Sequence, residues 1–120
     1  MAAFEESGIA KLATVAGVDM KTAAATTLYS IPAGKTFYPV LVIIRETSAS
    51  LAGGTSYSFT GWKQTVDLSS MTTLGTDYIV LNGDNTKYTD GAASSNFQIT
   101  VTTGSTAACT ATVDVFGFLA

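Results

Sequence analysis

Apolar and polar positions alternate with a period of two along most of this chain, the spacing of a strand with one face covered. The cleanest run is 96–103, where Phe97, Ile99 and Val101 alternate with Gln98, Thr100 and Thr102. Residues 108–119 put Ala111, Val113 and Val115 on one face, and Thr110, Thr112, Asp114, Phe116 and Phe118 on the other. Shorter strands are predicted at 26–31, at 56–62 with Tyr57 and Phe59 together, and at 77–81. In 63–73, Val66 and Leu68 suit a short strand, while 69–73 suits a loop or a helical turn. The strongest element is 37–47, which is apolar in both parities. Phe37, Leu41 and Ile43 take one face; Tyr38, Val40, Val42 and Ile44 take the other. In an antiparallel sheet such a strand needs two covers, the second being another layer or another subunit. Pro39 removes a ladder donor near its start, which implies an edge position or a bulge there.

Turn chemistry separates these runs. Pro32-Ala33-Gly34-Lys35 fits a β-turn, with Pro setting the first central φ and Gly a positive one. Gly34-Lys35-Thr36 also matches the end of a phosphate-binding loop. That motif needs a glycine five residues earlier, where Tyr29 stands, and a helix afterwards, where a strand follows. The turn is the better reading. Asn82-Gly83 and Gly104-Ser105 end further strands, and 48–54 and 82–95 are polar loops. Seven or eight short strands at this spacing predict an all-β chain: an antiparallel β-sandwich, jelly-roll-like. Residues 1–25 differ, being Ala-rich with Glu5 and Glu6. They are expected to form an extended N-terminal arm with a short strand at 12–15, leaving 26–120 as the sandwich domain.

Composition sharpens this picture. Only 12% of the residues are charged, and 20 Thr and 11 Ser supply polarity instead. Thr suits a half-buried pleated surface, and sparse charge suggests that part of the surface is covered by other copies or partners. The net charge is −3 and the six basic residues are scattered, so there is no stripe to neutralise nucleic-acid phosphates. The longest apolar run, 37–44, is too short to span a bilayer, and acid stands where a secretory signal carries base. Neither nucleic acid nor a membrane is an expected partner.

Candidate chemistry is thin. The chain has no His, so the commonest metal ligand and general base is missing. Cys109 reads as a small core residue. Asn82, Asp84, Asn85 and Asp90 offer oxygen ligands for calcium, but lack the spacing and terminal Glu of a calcium loop, and read as a solvated turn. Glu46, Asp67, Asp77, Asp84, Asp90 and Asp114 form no recognisable acid pair for glycoside hydrolysis. An enzyme, a cofactor and a metal are therefore not expected. Trp62, Tyr57, Tyr78 and Tyr88 offer either core aromatics or a sugar-stacking surface. Phe116 and Phe118 either face outward as an oligomer interface, with Tyr38, Val40, Val42 and Ile44, or turn inward through a bulge at Gly117.

The pairing of "TLYSIPAGKTFYPVLVII" near the start of a small β domain with "ATVDVFGFL" at its end resembles small virion proteins of tailed bacteriophages. These are the capsid decoration, or cement, proteins and the related head-fibre and tail-tip sandwiches. The resemblance implies a jelly-roll-like sandwich, commonly a homotrimer, that sits on the capsid surface and clamps neighbouring major capsid proteins. It implies a structural protein of the virion, assembled in the host cytoplasm, without catalytic residues. The arm, through Phe4, Ile9 and Leu12, is then the expected capsid contact. A receptor- or glycan-binding module of a tail or head fibre is the alternative; the long repetitive shaft of tail fibres is absent.

Overall fold

The computed structural model describes residues 9–60, 62, 64–83, 88–89 and 96–120. Among the described residues eight strands run β1 (Ala10–Asp19), β2 (Ala25–Ser30), β3 (Thr36–Arg45), β4 (Ser56–Phe59), β5 (Ile79–Asn82), β6 (Tyr88–Thr89), β7 (Asn96–Thr103) and β8 (Thr110–Leu119). One sheet has the order β1-β8-β3, with β5 and β6 sharing the far side of β3; the other is β2-β7-β4. Every pairing is antiparallel. The pairs nest: β1 with β8, β2 with β7, β3 with β6, and Tyr57 of β4 bridges Val66. First strand with last, and so inward, is a long hairpin rolled into a sandwich, which is a jelly roll.

The core lies between the sheets, where alternation put it. Phe97 and Ile99 of β7, Tyr57 and Phe59 of β4, and Val113 and Val115 of β8 are buried together. Phe37 is the hub: its ring lies 5.2 Å from Tyr29 and 5.3 Å, edge-on, from Phe97. Burying each such side chain contributes about 1.5–3 kcal/mol. The Tyr57 hydroxyl donates to the Met20 carbonyl at 2.8 Å, and burial pushes its pKa up to about 12. Cys109 is buried, with its thiol toward the Ala49 carbonyl at 3.2 Å.

Three expectations change in detail. First, 10–19 is a full strand of the sheet, with Val18 and Met20 buried in the core. Its register against β8 shifts between Lys11 and Ala13 and again between Val15 and Val18. Thus the sandwich begins well before residue 26, and Phe4 of the expected arm lies outside the described residues. Second, Lys35 N–H donates to the Pro32 carbonyl at 3.1 Å, so Ala33 and Gly34 are the central turn residues and Pro32 precedes them. Gly34 does carry the positive φ, 76°.

Third, β3 does not keep one parity. Pro39 faces Gly117 and Leu41 faces Phe116, so Val40 has no residue opposite it on β8. This bulge, beside a proline that cannot donate, reverses the face of everything that follows. Phe37 points into the core before it; Val42 and Ile44 point into the core after it. Val42 and Ile44 are fully buried against the second sheet and do not share a face with Tyr38. Gly117 is needed here, because a Cβ on it would run into the Tyr38 carbonyl and sit 2.9 Å from the Phe37 ring.

Candidate interaction face

The bulge gives the outer face of the larger sheet its own composition. Tyr38 pairs with Phe118, Leu41 with Phe116 and Asn82, and Ile43 with Asp114 and Val80. None of these shares the inward parity of Phe37, Val42, Val113 and Val115. Tyr38 and Phe118 stack with ring centroids 4.7 Å apart and planes 9° from parallel. Phe116, Leu41 and Ile43 are half-buried, and Val80 is exposed. The result is an apolar stripe running from Tyr38 to Val80 across β8, β3 and β5. Both Phe116 and Phe118 lie on it.

One polar cluster interrupts the stripe. Asp114 is 5% exposed although it points to the outer side of the sheet. Arg45 Nε donates to its Oδ2 at 2.8 Å, and Arg45 Nη2 and Thr14 Oγ1 donate to its Oδ1 at 3.3 and 2.8 Å. The hydrogen bond from Arg45 is the main reason the Asp114 carboxyl is held below its ordinary range; partial burial opposes it, and Thr14 assists. Arg45 is raised in turn, first by Asp114, and also contacts Glu46 at 3.1 Å. Three strands, β1, β3 and β8, are thereby tied across the outer face. Such a paired charge orients a docking surface more than it drives association.

The other sequence candidates do not assemble. Tyr57 is in the core, Tyr78 is 68% exposed beside β5, and Trp62 packs on Phe59 and Phe97. The side chain of Tyr88 and residues Asp84, Asn85 and Asp90 lie outside the described residues. Asp19, Asp67 and Asp77 each accept backbone N–H groups two to five residues away along the chain, so these carboxylates cap turns. Among the described residues no three His, Cys, Asp or Glu side chains are grouped to hold a metal. Ile9 is exposed where β1 begins, whereas Leu12 packs against the core.

No protein-family model and no curated protein sequence matches the chain. Among solved structures it aligns with a chain of the cyanophage Pam1 capsid asymmetric unit at a TM-score of 0.54 and 15% identity. That alignment covers 92% of this chain and 84% of the other. This chain and the Pam1 capsid chain share a fold. A chain of the acidic stable capsid structure of Helicobacter pylori bacteriophage KHP30 aligns at a TM-score of 0.44 and 13% identity, over 92% of this chain and 91% of that one.

Proposed function

We infer that this chain is a structural, non-enzymatic protein of a phage virion, a decoration or cement protein that binds the assembled capsid as a homotrimer. The observation that carries the reading is the fold shared, over nearly the whole chain, with a component of the Pam1 capsid. The outer stripe supports it: stacked, half-exposed aromatics on a rigid sheet suit contact with other subunits better than they suit water. The interface is then Tyr38, Leu41, Ile43, Phe116 and Phe118, with Val42 and Ile44 left to the core. The exposed Ile9 lies at the start of β1, where the N-terminal residues would reach toward the major capsid protein. The mechanism is mass action. A protein that binds the closed shell and not its free subunits stabilises the shell by its binding free energy.

Co-sedimentation of the purified chain with undecorated capsids of its own phage, beside sedimentation velocity of the chain alone, tests this. The expected result is saturable capsid binding, a trimer at micromolar concentration, and shells that withstand higher temperature when decorated. A monomer that leaves capsids unbound would contradict it.

A further inference from the structure

One recess opens at the β5 edge of the larger sheet, beyond the stacked rings. Trp62, Gln64 and Val66, in the stretch after β4, face Val80, Leu81 and Asn82 of β5 across a half-open cleft of about 220 Å3. Trp62 is the only tryptophan of the chain. Its ring rests against Phe59 at 4.7 Å and Phe97 at 6.0 Å between centroids, so the core fixes its plane. Its Nε1 is buried without a hydrogen-bond partner among the described residues. The indole therefore offers carbon, and not its N–H, to the cleft. Polar recognition is left to the amides of Gln64 and Asn82, both exposed, each with two donors and one acceptor. Val66, Val80 and Leu81 complete an apolar wall, and among the described residues the lining carries no ionisable side chain.

We propose that this cleft binds a neutral saccharide unit. A pyranose has an apolar C–H face that suits an indole surface, and a rim of hydroxyls that both donate and accept, as the two amides do. A charged ligand would lose hydration here and find no counter-charge among the described lining residues. A wholly apolar ligand would gain nothing from the two amides, which stay hydrated beside it. The volume lies below the roughly 300–1,000 Å3 usual for drug-sized ligands, so the cleft takes a single ring of a longer glycan. The cleft meets the apolar stripe at Val80 and Asn82, so Gln64, which lies outside the stripe, is the residue that separates this site from the capsid reading.

The test uses the full chain and four probes: methyl α-D-glucopyranoside, methyl β-D-galactopyranoside, the methyl glycoside of N-acetylglucosamine, and anionic N-acetylneuraminic acid. Binding is read by Trp62 fluorescence and by saturation-transfer NMR. The expected result is saturable binding of at least one neutral glycoside in the millimolar range, weakened about fivefold by Gln64→Ala and by Asn82→Ala with the melting temperature unchanged. Silence with all four probes in both readouts would overturn the proposal. So would a response to the anionic sugar alone, or one that both substitutions leave intact. Decorated-capsid assays with Gln64→Ala, which lies off the apolar stripe, are expected to match the wild type.

Discussion

The two faces of the larger sheet carry nearly the same kind of residue and meet different fates. Inside, Phe37, Val42, Ile44, Val113 and Val115 are covered completely by the β2-β7-β4 sheet. Outside, Tyr38, Leu41, Ile43, Phe116 and Phe118 are only half covered, by one another and by the Arg45–Asp114 cluster. The inner face is what folds the chain. The outer face is more apolar than folding of one copy requires, and that surplus is what an assembly would use.

Substitutions should separate the two. Phe37→Ala removes the hub of the aromatic core and is expected to cost about 3–5 kcal/mol in urea denaturation, enough to threaten folding itself. Gly117→Ala is expected to cost about 1–3 kcal/mol, because the added methyl must push β3 away at the bulge. It strikes the joint between the faces and should loosen both.

Asp114→Asn is expected to cost about 1–3 kcal/mol at neutral pH, by weakening charge-assisted hydrogen bonds to two strands. Its pH dependence is the sharper signature. The carboxyl is lowered in the folded chain, so its stabilisation is fully present above the unfolded carboxylate pKa of about 4. That stabilisation is lost as pH falls below this value and through the lowered folded one. The stability gap between wild type and Asp114→Asn should therefore narrow on acidification, read by denaturation at a series of pH values. A gap that stays constant or widens in acid would show that the pair does not act through its charge.

Phe118→Ser gives the smallest stability change, about 1 kcal/mol, since it removes one ring from a half-exposed stack. Its effect should appear instead in assembly: the variant folds, yet sediments as a monomer and loses capsid binding. A variant that folds and still assembles would make the outer stripe an ordinary surface.

How much of this was legible in the sequence differs between elements. Period-two alternation in 96–103 and 108–119 points to β7 and β8 and to their buried Phe97, Ile99, Val101, Ala111, Val113 and Val115, because both strands run through a continuous core and the one bulge of β7, at Thr102, comes after its inward residues. In β3 the same rule failed after Pro39. The proline announced a bulge, but its position depends on Gly117 opposite, which alternation along one strand cannot reveal. β1 reads mostly as an arm because its three alanines, Thr14 and Gly17 carry little apolar signal, and two register shifts break its period. Only Val18 and Met20, at its end, are anchored deep in the core. The outer stripe was half visible, through Phe116, Phe118 and Tyr38. Trp62 stands out in the sequence as a core or sugar-stacking aromatic, whereas the β5 residues it faces, almost twenty positions on, do not.

A cryo-EM reconstruction of capsids saturated with the chain tests the central claim most directly. The predicted density is a trimer on the shell in which the Tyr38, Phe116 and Phe118 face is buried against a neighbouring copy or a capsid subunit. Bound chains with that face open to solvent, or shells that carry no added density, would contradict the account.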